Sequence, residues 1–142
     1  MPEFLDLHGQ TNKVIRSLAE AAMRRHGIHL GQDHLLAALW KRDGQTPGEL
    51  AEGADVSTPA VVKMADRMSA AGLVRRMRDE RDNRLVRLWL TPEGAALQAP
   101  IEAERQALED ALTAGLSIDE KANLLKALRT VQRTAMALRD DT

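Results

Sequence analysis

Apolar residues recur every three or four positions along most of this chain, a spacing typical of amphipathic helices. The first such pattern spans residues 12–25, and Gly27 ends it. Asp33 is placed to cap a second helix that ends near Gly44, since a short polar side chain favours a helix start and glycine favours a stop. The chain is therefore predicted to begin with two helices.

Two shorter helices are predicted next, each with a capping residue followed by proline. Residues 46–49 (Thr-Pro-Gly-Glu) have the spacing of a capping box and predict a helix over 47–54. Residues 57–59 (Ser-Thr-Pro) predict another helix that ends at Ala71, before Gly72. One side of this second helix is apolar and the opposite side is polar, as a helix that docks in a groove requires.

The period then shortens to two over residues 73–78 and 84–90, which predicts a two-stranded ribbon. Residues 91–113 return to the helical period, with Pro100 expected to bend the helix, and a capping box at residue 117 begins a last amphipathic helix. Two short helices at a tight turn followed by a ribbon form a winged helix-turn-helix. The predicted fold class is mainly α (α+β), with a two-stranded β-wing.

Composition narrows the functional classes. The chain has 142 residues, enough for one domain, and its aromatic content is only 2%. It has no cysteine, which excludes disulfides, thiolate nucleophiles and cysteine-ligated zinc. No apolar run approaches 18 residues and the start has no signal-peptide pattern, so we expect a cytoplasmic protein with no membrane partner.

Positive charge is concentrated in one segment although the net charge is −1. Residues 61–90 contain eight basic and four acidic side chains, and this segment includes the predicted second short helix and the ribbon. A local basic surface on a winged helix predicts binding to double-stranded DNA, because phosphates attract it and the major groove admits a helix.

Catalysis is not expected. The chain has no G-x-S-x-G, no H-E-x-x-H and no phosphate-binding loop, and we expect no cofactor. Asp79, Glu80 and Asp82 are interleaved with arginines, which does not suit a pair of carboxylates for acid–base chemistry.

Two alternatives remain open. A zinc-responsive regulator would use His26, His29 and His34, although Gly27 and Gly31 break the helix between them. A winged-helix module that contacts only proteins is the other alternative. Six arginines between positions 75 and 87 argue against it, because a protein partner does not require them.

Several short motifs occur in a characteristic order within residues 46–94. They are Leu50-Ala51-Glu52, Val56-Ser57, Asp66-Arg67-Met68, Ala71-Gly72-Leu73-Val74, Asp79-Glu80-Arg81-Asp82-Asn83-Arg84 and Leu88-Trp89-Leu90-Thr91-Pro92-Glu93-Gly94. In this order and spacing the segment resembles the MarR (multiple antibiotic resistance regulator) family of winged-helix transcription regulators.

The resemblance implies a homodimer that binds a pseudo-palindromic operator, most often as a ligand-responsive repressor. It implies one domain over residues 1–142, with dimerisation helices in 1–30 and 100–142 and a DNA-binding lobe over 31–98. The long apolar faces at both ends of the chain favour dimerisation independently, because they would otherwise meet water. Small aromatic or phenolic molecules are the effectors that the resemblance implies.

The resemblance also implies site residues. The side chains expected at the major groove are Ser57, Thr58, Pro59, Val62 and Lys63. The wing residues expected to contact DNA are Arg75, Arg76, Arg78, Arg81, Asp82 and Arg84, with Arg84 in the minor groove and Asp82 bracing it. The expected ligand pocket includes Met23, His34, Leu36 and Trp40.

Overall fold

A computed structural model describes all 142 residues, from Met1 to Thr142. It contains seven α-helices and one antiparallel pair of strands, which confirms the predicted fold class. The chain divides into two compact units, residues 1–105 and 106–142. The elements are α1 (Glu3–Arg24), α2 (Gln32–Lys41), α3 (Pro47–Ala54), α4 (Thr58–Ala70), β1 (Val74–Arg78), β2 (Val86–Leu90), α5 (Pro92–Ala96), α6 (Gln98–Thr113) and α7 (Ile118–Asp140).

Helix α1 begins at Glu3, so the predicted start at residue 12 is wrong. The added turns include Gly9, which costs only about 1 kcal/mol in a helix interior. Glu3 and Asp6 lie in the first turn, where acidic side chains interact favourably with the helix dipole. The sequence has no start signal for this segment, because its N-cap residue is Pro2 and no side chain caps the helix.

Helix α2 is capped by Gly31 and not by Asp33, which corrects the sequence prediction. Gly31 has a φ of 103°, a conformation that glycine adopts without steric cost, and the helix therefore begins two residues early. Asp33 lies inside the first turn, where its Oδ1 accepts a hydrogen bond of 2.8 Å from the Gly31 N–H.

The two short helices start as predicted. The Glu49 N–H donates to Thr46 Oγ1 at 3.1 Å, and the Thr46 N–H donates to Glu49 Oε1 at 3.4 Å, so both halves of the capping box form at α3. Ser57 Oγ accepts from the Ala60 N–H at 3.2 Å and caps α4. Local hydrogen bonding therefore fixes both helix starts.

Strands β1 and β2 pair in antiparallel register, from Val74 opposite Leu90 to Arg78 opposite Val86. Gln45 adds a short bridge to the other side of β2, where the Leu88 N–H donates to the Gln45 carbonyl at 2.8 Å. We call the ribbon and its loop, residues 74–90, the wing.

The core of the first unit is built from aliphatic side chains and methionine. Its most deeply buried side chains come from α2, α3, α4, both strands, α6 and the turn after α1. They are Ile28, Leu36, Leu39, Leu50, Met68, Leu88, Ile101, Val61 and Val74. Because α4 and the wing pack against this one core, their relative position is fixed.

The helix expected over 91–113 is two helices. Thr91 Oγ1 accepts from the Gly94 N–H at 3.1 Å and caps α5, and the helix breaks at Leu97. Pro100 explains the break, since it has no N–H to donate to the Ala96 carbonyl and its ring crowds that carbonyl.

The second unit includes α7, which starts with the predicted capping box. The Glu120 N–H donates to Ser117 Oγ at 3.1 Å, and the Ser117 N–H donates to Glu120 Oε1 at 3.0 Å. No residue of α7 is buried in this chain. None of the seven helices combines the length and the apolar composition that a membrane-spanning helix needs.

Candidate nucleic-acid interface

Helix α4 presents one apolar and one accessible face. Val61, Ala65 and Met68 are buried against the core. The residues expected at the major groove are all exposed, and Val62 is the apolar member among them at 38% exposure. They are Ser57, Thr58, Pro59, Val62 and Lys63. Their exposure leaves the N-terminal half of α4 free to approach a partner, with its N–H groups and positive dipole end at the same place.

The tip of the wing holds an arginine in a fixed orientation. Arg84 donates from Nε to Asp82 Oδ1 at 3.0 Å and from Nη2 to Asp82 Oδ2 at 3.2 Å, and its backbone N–H donates to Oδ1 at 3.1 Å. The Arg84 side chain is 90% exposed despite this bidentate contact. The hydrogen bond from the Arg84 side chain holds the pKa of Asp82 below its usual value. The expected wing pair therefore exists in the free chain.

The other wing arginines differ in their freedom. Arg75 and Arg81 are exposed, and Arg78 donates to the Asn83 carbonyl at 2.7 Å. Arg76 forms an ion pair with Asp66 of α4 and donates to the Val62 carbonyl at 3.5 Å, so it attaches the wing to α4. A phosphate contact by Arg76 stays a prediction that requires this ion pair to open.

Sequence reasoning missed a cluster at the base of the wing, which we call the Arg87 cluster: Arg87, Asp79, Glu49 and the Gly44 carbonyl. Arg87 Nε donates to Asp79 Oδ1 at 2.9 Å, and Nη1 lies 3.0 Å from the Gly44 oxygen and 3.4 Å from Glu49 Oε1. The only sequence signal for Arg87 is the alternation of polar and apolar residues along β2. Such a pattern cannot identify Glu49, a partner 38 residues away.

The charges of the cluster stabilise one another. The hydrogen bond from Arg87 lowers the pKa of Asp79, and the same hydrogen bond raises the pKa of Arg87. Burial raises the pKa of Glu49, but the hydrogen bonds from Thr46 and the positive charges of Arg42 and Arg87 outweigh burial and lower it. All three side chains are therefore charged at neutral pH.

The four residues expected to line a ligand pocket occupy different environments. Met23 and Leu36 are buried in the core, and Trp40 donates from Nε1 to the Gly94 carbonyl at 3.0 Å. Only His34 borders a mainly apolar cavity of about 400 Å³ between α2, the α3–α4 turn and α4. The cavity is lined by Gly31, His34, Leu35, Ala38, Gly53, Ala54, Val56, Val61 and Met64.

The three histidines of the zinc hypothesis are not arranged around a common point. His26 Nε2 lies 3.5 Å from Glu104 Oε1, whereas His29 and His34 are exposed. No group of three His, Asp or Glu side chains in the structure is placed to hold a metal ion. The geometry therefore gives the zinc hypothesis no support.

Comparisons with known proteins agree with the winged-helix geometry. The model of the MarR family matches residues 28–86, which include α2, α3, α4 and the wing loop. The HTH-type transcriptional repressor MdtR of Bacillus subtilis is 29% identical over 137 residues, covering 96% of this chain and 86% of that protein. Over residues 28–86 the chain is similar to the MarR family, and over nearly its whole length it is similar to one transcriptional repressor.

Solved structures of MarR proteins match nearly the whole chain. A crystal structure of a MarR family transcription regulator superimposes with a TM-score of 0.88 over 99% of this chain and 93% of that one, at 23% identity, and shows the shared fold. A mutant of Escherichia coli MarR in complex with operator DNA gives a TM-score of 0.78 at 28% identity, covering 92% of this chain and 94% of that chain. The relatives named here are transcription regulators, a class of proteins that are not enzymes.

Proposed function

We propose that this chain is a sequence-specific regulator of transcription that binds double-stranded DNA as a homodimer and represses the promoter it occupies. The observation that supports it best is that the same unit carries an accessible face of α4 and an exposed Arg84. Two hydrogen bonds to Asp82 hold the Arg84 side chain. The similarity to a repressor and to a DNA-bound MarR structure supports the same function. A cytoplasmic location, with the chromosome, follows from the proposed DNA ligand.

Helix α4 is proposed to enter the major groove with its N-terminal half. The groove is about 12 Å wide and admits one helix, and its base edges differ for every base pair. Val62 is suited to contact a thymine methyl group, and Lys63 to donate to a guanine or a phosphate. Ser57 is committed to its cap, so we assign it a positioning contact through the helix N-terminus.

The wing is proposed to place Arg84 in the adjacent minor groove. A narrow minor groove has an enhanced negative potential that favours an inserted arginine. Asp82 fixes the guanidinium before binding, which reduces the side-chain entropy lost on binding. Arg75, Arg78 and Arg81 are proposed to contact phosphates, which set affinity and its salt dependence.

The proposed homodimer uses the helices in residues 1–30 and 100–142, with residues 31–98 as the DNA-binding lobe of a single domain. Exposed apolar side chains form a stripe along each of two long helices, and isolated stripes of that length are unfavourable in water. On α1 they are Phe4, Leu7, Val14 and Leu18, and on α7 they are Leu124, Leu128, Val131 and Leu138.

A small aromatic effector is proposed to occupy the cavity beside His34. The cavity is mainly apolar and its walls include Val61 and Met64 of α4, so an occupant acts on the helix that reads DNA. Phenol and benzoate are suitable probes. We expect them to shift the His34 ring signals in NMR spectra and to weaken DNA binding; unchanged spectra at millimolar probe would remove the effector proposal.

Selection from a randomised duplex pool tests the DNA-binding proposal. A two-fold dimer with two α4 helices predicts enrichment of an inverted repeat with half-sites about 10 base pairs apart, one helical turn. Selection of an asymmetric sequence would contradict the dimeric geometry. Failure of the folded protein to enrich any duplex at low salt would contradict DNA binding itself.

A further inference from the structure

Arg87 lies at the junction between the wing and the helix-turn-helix. It is in β2, opposite Met77 of β1, and its side chain is 29% exposed. We propose that Arg87 is a positioning residue, which ties the wing loop to helix α3 and thereby sets where Arg84 meets DNA. This inference rests on the proposed function, because it concerns the placement of the proposed minor-groove arginine.

On one side Arg87 contacts the helix-turn-helix. Its Nη1 donates to the Gly44 carbonyl at 3.0 Å, in the connection between α2 and α3, and to Glu49 Oε1 at 3.4 Å. Glu49 is itself fixed by the capping box with Thr46 and by Arg42, whose Nη2 lies 2.7 Å from Glu49 Oε2. The acceptors for Arg87 are therefore attached to the start of α3.

On the other side Arg87 contacts the wing loop through Asp79. Arg87 Nε donates to Asp79 Oδ1 at 2.9 Å, while Asp79 Oδ2 accepts from the backbone N–H of Arg81 at 3.2 Å and of Asp82 at 2.9 Å. Asp82 in turn holds the Arg84 guanidinium. A continuous series of charge-assisted hydrogen bonds thus leads from Glu49 to Arg84.

Removal of the Arg87 guanidinium would leave two carboxylates near one another without the cation between them. Asp79 would lose the donor that orients it, and the loop that it organises would no longer be held to α3. Arg84 would still pair with Asp82, because that contact lies within the loop. The Asp82–Arg84 pair would sample several positions relative to α4. Only some of these positions would let α4 reach the major groove and Arg84 the minor groove at the same time.

A double-mutant cycle on the full-length chain tests the proposal. The probe is a duplex selected by the wild-type protein, and binding is measured by fluorescence anisotropy for wild type, Arg84→Ala, Arg87→Met and the double variant. We expect Arg84→Ala to weaken binding at least tenfold in the wild type but less than threefold in the Arg87→Met background. An equal loss in both backgrounds would overturn the proposal.

Arg42→Met is the matched control, since it also removes an arginine from Glu49 but does not touch the wing. The tenfold effect of Arg84→Ala is expected to persist in that background, and its disappearance would overturn a specific role for Arg87. Asp79→Asn is a second variant that keeps a loop acceptor but removes the charge. Asp79→Asn is expected to reduce the effect of Arg84→Ala to less than threefold, as Arg87→Met does. It therefore still tests the proposal if Arg87→Met does not fold.

Amide exchange in the DNA-free protein separates this inference from the proposed function. The N–H groups of Arg81 and Asp82 donate to Asp79, and we expect them to exchange with water at least fivefold faster in Arg87→Met but not in Arg42→Met. Unchanged exchange would overturn the inference. If the wild type binds no duplex, the proposed function fails, whereas faster exchange would still show that Arg87 positions the loop.

Discussion

Substitution of Gly94 by alanine gives a sharp prediction, because the backbone of α5 lies against the backbone of Leu73, the residue before β1. A Cβ on Gly94 would lie 2.1 Å from the Leu73 carbonyl oxygen and 3.3 Å from Leu90 Cδ2. The first distance is about an ångström shorter than any real contact, and the obstructing atom is backbone. The helix and the strand would have to separate.

The cost follows from the groups that would move. The Leu73 oxygen accepts from the Thr91 N–H at 3.1 Å, and the Gly94 oxygen accepts from Trp40 Nε1 at 3.0 Å. Overpacking costs about 1–3 kcal/mol, and a weakened hydrogen bond adds about 0.5–1.5 kcal/mol. We therefore expect Gly94→Ala to lower the free energy of unfolding by roughly 2–4 kcal/mol.

Urea denaturation followed by circular dichroism measures this change, at one fixed protein concentration because a dimer unfolds in a concentration-dependent way. Gly53→Ala in α3 is the matched control, since nothing lies within 4 Å of its added Cβ. That variant is expected to be neutral or to gain up to about 1 kcal/mol from helix propensity. A loss below about 1 kcal/mol for Gly94→Ala would refute the close approach of α5 to β1.

Two further predictions concern a cap and a carboxylate. Thr46→Ala removes the acceptor of the Glu49 N–H and is expected to destabilise the protein by about 1 kcal/mol in urea denaturation; no measurable loss would mean that the capping box contributes nothing. The Glu104 carboxylate pairs with Arg25 at 3.0 and 3.2 Å, and the hydrogen bond from Arg25 lowers the pKa of Glu104. The stability from this pair is present above the ordinary glutamate pKa and is lost as the pH falls through the lowered value. The urea midpoint of Glu104→Gln should therefore depend less steeply on pH below about 5 than that of the wild type, and parallel profiles would contradict this.

Local chemistry made much of this fold predictable from sequence. The starts of α3, α4 and α7 follow from a capping side chain a few residues from the group it bonds, and the structure confirms all three. The starts of α1 and α2 were not predictable in this way. Helix α1 starts after Pro2 with no side-chain cap, and the start of α2 depends on the positive φ of Gly31.

The candidate site was predictable where its contacts are short in sequence. The resemblance to MarR wings implies the pairing of Asp82 with Arg84, and the contact itself lies within the loop, between residues two apart. Arg87 meets Glu49 across 38 residues, and only the folded chain brings them together. For the expected pocket residues spacing alone was not enough, because whether Leu36 faces the core or a cavity depends on the rotation of α2, and the folded chain buries it in the core.

The measurement that tests the central claim most directly is the affinity of wild type and Arg84→Ala for a selected duplex at about 50 and 200 mM salt. Lys63, Arg75, Arg78 and Arg81 of both protomers would supply about eight phosphate contacts, so the wild-type affinity should fall roughly 10⁴-fold between these concentrations. Arg84→Ala should bind at least tenfold more weakly, about 1–3 kcal/mol, with a salt slope changed by no more than about two. Binding that is independent of salt, or unaffected by the loss of Arg84, would contradict the assignment of α4 and the wing as a DNA-reading surface.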